Sequence, residues 1–300
     1  MTGPIVECVP NFSEGKDRQK VDAIAAAIAS VQGVMVLDVT LDPDHNRSVI
    51  TFAGPADSVG EAAFRAVAQA VESIDLTRQS GVHPRIGAAD VVPFVPVQNI
   101  TLAECAHLAV TIGEQIWSNL RVPVYLYEAA ARRPDRVNLE NIRRGGFEKL
   151  REMARTDPDR RPDFGEASLH PTAGATVVGA RKFLVAFNIN LKTPDVKLAQ
   201  AIAKRIRASS GGLPYVKAMG VRLKSRNLAQ VSMNLTNFEM TAISTVFALV
   251  STEAALAGVD IAGSEIVGLI PRKALKGSED WLPTVENFNP GLILENRLGI

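Results

Sequence analysis

Residues 216–235, VKAMGVRLKSRNLAQVSMNL, decide the fold of this chain. Two strand-like runs flank the short polar segment KSRN, which is typical of two strands joined by a turn. The run KFLVAFNINL (182–191) predicts a strand before them, and SEIVGLIP (264–271) predicts one after them. Apolar residues at helical spacing fill both intervals, from Val196 to Ile206 and around Thr245 to Val250. The second half therefore has the order β-α-β-β-α-β.

The first half of the chain repeats this order of elements. The sequence predicts four strands, at PIVECVPN (4–11), VMVLDV (34–39), SVITFAG (48–54) and VVPFVPV (91–97). Helical spacing from Val21 to Val31 and from Val59 to Val71 fills the first and third intervals, with Asp17 as a predicted N-cap. The prolines of the fourth strand predict an end or edge position in the sheet.

This repeated order is the split β-α-β, or ferredoxin-like, arrangement. We therefore expect an α+β protein of two ferredoxin-like subdomains with mainly antiparallel sheets, over residues 1–179 and 180–300. Extra elements follow the first unit: a helix opened by the capping box at Thr101, a strand at 122–128, and a charged helix interrupted at Gly145 and Gly146. Residues 156–174 are expected to form a long, functional loop between the subdomains.

Composition limits the classes of protein to consider. The chain of 300 residues is 46% hydrophobic with a formal net charge of +1, which excludes a disordered chain and argues against nucleic-acid or membrane partners. An RNA-binding interpretation stays a minor alternative, because ARKFLVAFNI resembles an RNP1 motif only loosely and aromatic residues are 5% of the chain. Two distant cysteines, no visible secretory signal and no long apolar run predict a cytoplasmic protein.

The stretch SGVHPRIGAADVVPFVPV (80–97) holds the leading catalytic candidate, His83. Imidazole titrates near neutral pH, so a loop histidine can act as a general acid and base. Pro84 restricts the backbone, and Gly81 and Gly87 allow another backbone or a ligand to come close. The alternative is an exposed or capping histidine. Asp38 and Asp90 are candidates to orient the ring.

Two further segments carry candidate binding chemistry. DPDHNR (42–47) has metal-ligating side chains but no established ligand spacing, so a polar turn is favoured over a metal site. Asn46 and Arg47 could instead hold a substrate carboxylate, with the arginine forming a bidentate pair. The small residues in HPTAGATVVGARKFLVAFN (170–188) let a flat ligand lie close to the backbone, or else the segment is a linker entering a strand. The sequence has no dinucleotide-binding, P-loop, nucleophile-elbow or HExxH motif.

At these same stretches the chain resembles the formiminotransferase family. The resemblance rests on motifs that follow one another in the same order along nearly the whole chain. They are ECVPNFSEG (7–15), HNRSVITFAG (45–54), GVHPRIGAADVVPFVPV (81–97), VPVYLYE (122–128), DFG (163–165), GATVVGARKFLVAFNINL (174–191), NLAQVSMNL (227–235), VGLIPRKAL (267–275) and ENRLG (295–299).

The resemblance implies an enzyme that transfers the formimino group from N-formimino-L-glutamate to N5 of tetrahydrofolate in histidine degradation. It implies His83 as the catalytic residue and tetrahydrofolate as co-substrate, with no metal. The residues expected to bind folate or the donor are Asn46, Arg47, Arg85, Asp163, Phe164, Gly165, His170, Thr172, Gly174, Ala175, Thr176 and Arg181. Lys182 is a further cation that could pair with a substrate carboxylate.

The resemblance also implies partners and leaves alternatives open. Family members are typically homodimers, and because animal members carry a cyclodeaminase domain after this one, we expect a separate cyclodeaminase to act next. The same site could instead transfer a formyl group between 5-formyltetrahydrofolate and glutamate. A folate-binding protein without turnover is the other alternative, which the complete HPR motif at His83 argues against.

Overall fold

The computed structural model describes residues 3–43, 45–79 and 84–300 of the chain, which divides into two compact units, Met1–Arg181 and Lys182–Ile300. Each unit has its own sheet, its own helices and its own apolar core. The predicted α+β class with two subdomains is therefore confirmed.

The first unit contains seven strands and five helices within the described residues. The strands are β1 (Ile5–Cys8), β2 (Asn11–Phe12), β3 (Met35–Asp42), β4 (Arg47–Pro55), β5 (Ala89–Gln98), β6 (Val124–Glu128) and β7 (Thr176–Ala180). The helices are α1 (Arg18–Ala29), α2 (Ala56–Ser73), α3 (Leu102–Leu120), α4 (Leu139–Arg143) and α5 (Gly146–Thr156).

The core of the first sheet has the ferredoxin-like order. β1 and its continuation β2 lie between β4 and β5, and β3 pairs with the other side of β4, all in antiparallel pairs. The predicted first strand is thus split in two between Cys8 and Asn11. β7 and β6 then extend the sheet beyond β5 in parallel pairs. The strand predicted at 122–128 is confirmed as β6, whereas β7 was not predicted.

Two sequence-based expectations are wrong here. β5 is a central strand, because it pairs with β1 and β2 on one side and with β7 on the other. Its prolines are tolerated since proline loses only its own N–H, and the Pro93 carbonyl still accepts from Val9 N at 3.3 Å. Residues 156–174 do not link the subdomains, because they lead back into β7 of the first unit.

The local signals for the helices are confirmed. Asp17 accepts from the backbone N–H of Gln19 and Lys20, which satisfies donors that a helix start leaves unpaired. Thr101 and Glu104 form the complete capping box that opens α3. The predicted break in the charged helix separates α4 from α5, where Gly145 has φ of 92°.

The second unit has the predicted β-α-β-β-α-β order without additions to its sheet. Its strands are β8 (Val185–Leu191), β9 (Val216–Leu223), β10 (Leu228–Leu235) and β11 (Ile261–Val267). Its helices are α6 (Val196–Ile206), α7 (Ile243–Leu256) and α8 (Leu294–Leu298). The sheet order β11-β8-β10-β9 is antiparallel throughout, as predicted. The turn between β9 and β10 ends at Asn227 with φ of 53°, a conformation that asparagine tolerates.

Alternation along these strands places one face of the second sheet against the helices. Phe187 and Ile189 of β8 and Val231 and Met233 of β10 are buried with the apolar sides of α6 and α7. Phe187 contacts Trp281 edge to face, with ring centroids 5.3 Å apart. Among the described residues of both units, no helix is long and apolar enough to cross a membrane.

Candidate functional site

Strand direction gathers most of the candidate residues at one edge of the first sheet. β4 and β5 each pair antiparallel with β2, so they run the same way, and β7 and β6 run parallel to β5. Four strands therefore begin at the same edge. We call this the amino edge; it comprises residues 13–15, 46–47, 84–90, 122–124, 163–165 and 170–176.

The amino edge is closed by contacts between backbones. Gly87 and Gly174 form an isolated antiparallel bridge, Ala88 N donates to the Ala173 carbonyl, and Ala175 N donates to the Ile86 carbonyl, both at 2.9 Å. Thr172 also accepts from Leu76 N at 2.9 Å. The small residues of 170–179 thus let neighbouring strands approach each other, and the segment is a strand entry followed by β7 rather than a linker.

A chain of polar side chains crosses this edge. Asn46, in the left-handed conformation with φ of 48°, accepts from Gly15 N at 3.0 Å and donates to Gln79 Oε1. Gln79 Nε2 donates to Glu14 at 2.7 Å, and Glu14 also accepts from the backbone N–H of Lys16 and Asp17. The network joins three separate segments and fixes Gln79, directly before residues 80–83.

Glu14 stays ionised in this network. Burial alone would raise the pKa of this carboxyl, but the N–H groups of Asp17 and Lys16, the Gln79 amide and the charge of Lys20 together hold its pKa below the ordinary value of 4.5. The Lys20 ammonium lies 3.6 Å from the carboxylate. Glu14 is therefore a fixed acceptor at neutral pH.

Arg47 lies beside a buried ion pair. Asp90, at the start of β5, accepts from Ile86 N at 2.8 Å with one carboxylate oxygen and from Arg143 Nη2 with the other. Burial lowers the pKa of Arg47 and the neighbouring Arg143 charge lowers it further, while Asp42 and Asp90 act in the opposite direction. Two guanidinium groups and one buried carboxylate thus share this part of the amino edge.

Arg85 acts on the backbone around it. Its Nη2 donates to the Gln79 carbonyl at 2.6 Å and to the Leu76 carbonyl at 3.3 Å, and it lies 3.5 Å from Glu148. Its Nε is buried and meets no acceptor within the described part of the chain. Arg85 therefore ties residue 79 to residue 85, across the segment that contains His83.

Asp163, Phe164 and Gly165 lie one strand further along the edge, beside β6. The Asp163 carboxylate accepts from Leu126 N at 2.8 Å and from Arg136 Nη1 at 2.6 Å, with both side chains of the ion pair buried. Phe164 bridges to Val124 through its backbone, and the Arg132 guanidinium lies 4.6 Å from its ring centroid. Gly165 has φ of 126°, which only glycine adopts readily.

His170 caps its own turn. Its Nδ1 accepts from the backbone N–H of Ala173 at 3.0 Å and of Thr172 at 3.4 Å, so the neutral ring carries its proton on Nε2. Burial lowers the pKa of His170, which keeps the ring neutral. Thr172 also lines a cavity of about 490 Å³ together with Lys20, Arg78 and Gln79. Gly174, Ala175 and Thr176 follow and lead into β7.

Arg181 lies at the other edge of the sheet. It follows the last residue of β7, five residues beyond Thr176, which is roughly 16 Å at the usual rise of a strand. Its side chain hydrogen-bonds to buried Tyr127, and its charge opposes the effect of burial, which raises the pKa of that phenol to about 12. The structure does not bring Arg181 together with the other candidates.

The remaining predicted residues give less information. His83 lies outside the described residues, between Gln79 and Pro84. Asp38 is partly exposed and accepts from the Thr40 hydroxyl at 2.9 Å. In the turn between β3 and β4, His45 Nδ1 lies 2.6 Å from the Asp42 carboxylate. Asp44 lies outside the described residues. In the chain as far as it is described, no cluster of three or more ligating side chains could hold a metal ion.

Sequence reasoning missed one residue of this edge, Glu14, and two residues that contact it, Gln79 and Arg143. Glu14 lies within the motif ECVPNFSEG and Gln79 comes directly before the stretch that contains His83, so the sequence held a signal for both. Arg143 had no such signal. It is one of several arginines in the charged segment 132–144, and only the fold brings it to Asp90 across 53 residues of sequence.

Comparison with known proteins assigns the family. The model of the formiminotransferase domain, N-terminal subdomain, matches residues 5–181, and the model of the formiminotransferase domain matches residues 186–290. The chain belongs to the formiminotransferase family.

Curated relatives agree with this assignment. The chain is 47% identical over 295 residues to a protein of Streptococcus pyogenes serotype M1 named glutamate formimidoyltransferase, and the match covers 98% of each chain. It is 47% identical over 296 residues to the protein of that name from Thermoplasma acidophilum, covering 98% of this chain and 97% of the relative. It is 45% identical over 308 residues to the formimidoyltransferase-cyclodeaminase of Sus scrofa, covering 99% of this chain and 57% of that longer protein.

Proposed function

We propose that this protein transfers the formimino group from N-formimino-L-glutamate to N5 of tetrahydrofolate, giving 5-formiminotetrahydrofolate and L-glutamate in histidine degradation. The observation that carries the proposal is the 47% identity to a glutamate formimidoyltransferase over 98% of both chains. That match spans both units, so it includes the whole amino edge. Tetrahydrofolate is the co-substrate.

His83 is the proposed catalytic residue. It takes the proton from N5 as the bond from N5 to the amidine carbon forms. It returns a proton to the glutamate nitrogen as the bond from that nitrogen to the same carbon breaks. One imidazole serves both steps because imidazole as a group gains and loses a proton near neutral pH. The surrounding network contributes by fixing Gln79 and Arg85, which lie on either side of His83 in the described part of the chain.

The amino edge suits anionic substrates. Both the donor and the folate carry glutamate carboxylates, and Arg47 and Arg85 both lie at this edge. A guanidinium offers a planar set of donors that matches a carboxylate. We place Asn46, His170, Thr172, Gly174, Ala175 and Thr176 along the substrate path at this edge. Phe164 and Gly165 flank this path. Arg181 lies at the opposite edge of the sheet, so any contact it makes with a substrate carboxylate is made away from the other candidates.

Turnover tests the proposal directly. Purified protein is incubated with tetrahydrofolate and N-formimino-L-glutamate, and both 5-formiminotetrahydrofolate and glutamate are followed. We expect equal amounts of both products. His83→Ala should lower kcat by about 10²- to 10⁴-fold, the usual contribution of a general acid and base, while tetrahydrofolate still binds. His107→Ala, an exposed histidine on α3, is the matched control and should behave as wild type.

Two results would contradict the proposal in different ways. Wild type that binds tetrahydrofolate but forms neither product rules out this donor, and 5-formyltetrahydrofolate with glutamate would then be tried. Wild type that turns over while His83→Ala keeps full activity leaves the reaction in place but removes His83 from it.

The proposal extends to partners and location. The protein is a homodimer, which light scattering on the purified protein tests. A cyclodeaminase activity consumes its product, in keeping with the two activities named for the relative from Sus scrofa. The reaction takes place in the cytoplasm, in keeping with Cys8 and Cys105, which are both buried and free.

A further inference from the structure

We infer that Arg143 binds a carboxylate of the formimino donor and that Asp90 positions it for this task. The inference rests on the proposed function and adds a specificity-determining residue that the sequence motifs do not contain. It starts from the ion pair between Arg143 and Asp90, which joins the end of α4 to the start of β5.

The ion pair fixes Arg143 without using all of its donors. Asp90 is itself fixed, because one oxygen accepts from Ile86 N at 2.8 Å and the other accepts from Arg143 Nη2. Within the described residues, the Nε of Arg143 is buried and meets no acceptor. A buried charged donor without an acceptor is costly, and a bound anion would satisfy it. The Asp90 contact engages Nη2 alone and the Arg143 side chain is 13% exposed, so further N–H donors of the guanidinium remain for a ligand.

The end of α4 is held in place independently of Asp90. Arg160 donates to the carbonyls of Asn141 and Ile142 at 2.8 Å and to that of Arg144 at 3.2 Å. These carbonyls belong to the last turn of α4, which would otherwise lack partners. The backbone of Arg143 is therefore fixed before any ligand arrives, which lowers the entropic cost of binding.

Charge favours an anion at this point. Arg47 and Arg143 lie close enough for the charge of Arg143 to act on Arg47, and the buried carboxylate of Asp90 acts on both. Asp42 also acts on Arg47, but its side chain is 40% exposed, so solvent screens its charge. A carboxylate beside Arg143 would reduce the repulsion between the two cations.

Both substrates carry carboxylates, but those of the donor lie within a few bonds of its formimino carbon, whereas those of folate lie at the end of the molecule away from N5. The ligand assigned to Arg143 is therefore a carboxylate of the donor. Its formimino carbon must be held for attack, and a planar guanidinium fixes orientation as well as position. Lysine would supply the positive charge without the planar pair of donors, so we expect that lysine cannot fully replace Arg143 in donor binding.

The test compares enzyme variants with donor analogues. Arg143→Gln and Arg143→Lys are assayed against N-formimino-L-glutamate and against two analogues in which either the α- or the γ-carboxylate is an amide. Arg144→Gln is the matched control, since this neighbouring arginine is exposed and its side chain donates to Asn141 in the same turn. Thermal unfolding of each variant is measured in parallel.

We expect Arg143→Gln to raise KM for the donor roughly 10- to 100-fold, the usual effect of losing a hydrogen bond to a charged group. We expect kcat and KM for tetrahydrofolate to stay within about threefold of wild type. Against one of the two amide analogues, wild type and Arg143→Gln should be equally poor. Arg143→Lys should recover only part of the affinity, and Asp90→Asn should raise KM for the donor less than Arg143→Gln does.

Three outcomes would overturn the inference. The first is an unchanged KM for the donor in folded Arg143→Gln. The second is an equal rise in KM for donor and tetrahydrofolate, or a fall in kcat alone, which indicates a structural role. The third is that Arg143→Gln raises KM by the same factor for both amide analogues as it does for the unmodified donor. Wild type that forms no product overturns the proposed function together with this inference, whereas the first three outcomes leave that function standing.

Discussion

Gly87 and Gly174 face each other in the bridge that closes the amino edge, and neither position has room for a side chain. A Cβ on Gly87 would overlap the Ala175 carbonyl oxygen, and one on Gly174 would overlap the Ile86 carbonyl oxygen. The contact places the segment before β5 directly against the entry to β7. Packing between two backbones therefore shapes this edge of the sheet.

Gly174→Ala should destabilise the protein by about 2–4 kcal/mol, because it adds overpacking to the cost of a left-handed residue. Gly174 has φ of 71°. Gly258→Ala is the matched control, since Gly258 has φ of 67° but open space around its Cβ position, so it carries only the conformational cost. Thermal or urea unfolding measures the stability of both variants. An equal loss of stability in the two would show that the bridge between Gly87 and Gly174 can accommodate a methyl group.

Asp163→Asn should lower stability by about 3–5 kcal/mol, because it leaves the buried Arg136 charge without its partner. The same variant should change KM for tetrahydrofolate little, since the carboxylate is already engaged by Arg136 and Leu126 N. Asp159→Asn is the control, because Asp159 pairs with Arg133 at 2.9 Å but is 76% exposed. A large rise in the folate KM with unchanged stability would instead place Asp163 in the binding site.

Patterns along the chain predict the elements whose residues interact locally. The hairpin at 216–235, the Asp17 cap and the Thr101 capping box all follow from neighbouring residues, and the structure confirms them. The parallel strand β7 could not be predicted in this way, because it depends on pairing with β5 and β6 far away in sequence. Its short run of small residues is equally typical of a linker.

The residues of the candidate site differ in the same way: some can be predicted from neighbouring sequence, and others depend on contacts between distant segments. Asn46, Arg47 and the residues from His170 to Thr176 stand in recognisable motifs, and strand direction brings them to one edge. Arg181 belongs to the same motif as Gly174 but lies at the opposite end of β7, since a strand separates residues that are neighbours in sequence. Arg143 shows the opposite case, because it is far from Asp90 in sequence and the fold brings the two side chains into contact.

Glu14→Gln should change the dependence of stability on pH. The folded state holds the pKa of Glu14 below its ordinary value of 4.5, so its contribution is complete above that value and is lost as pH falls through the lower folded-state pKa. The melting temperature of wild type should therefore exceed that of Glu14→Gln at neutral pH, and the gap should narrow below about pH 4.5. A gap that is constant from neutral to acidic pH would show that Glu14 acts through shape alone.

His170 allows an isosteric test of its role as an acceptor. Its Nδ1 accepts from two backbone N–H groups, so His170→Ala should cost about 1–3 kcal/mol by leaving them without an acceptor. His170→Asn should restore most of this stability, because an asparagine side-chain oxygen can accept from the same groups.

The pH dependence of the His170 variants follows from the direction of the pKa shift. Burial lowers the pKa of His170 from its ordinary value of 6.5, so the unfolded chain takes up a proton more readily than the folded protein does. The contribution of the neutral ring is therefore complete above 6.5 and is lost as pH falls through the lower folded-state pKa. The melting temperatures of wild type and His170→Asn are compared between about pH 5 and pH 8. As the pH falls, the melting temperature of wild type should drop relative to that of His170→Asn. If His170→Asn instead loses turnover at unchanged stability, the imidazole takes part in the reaction.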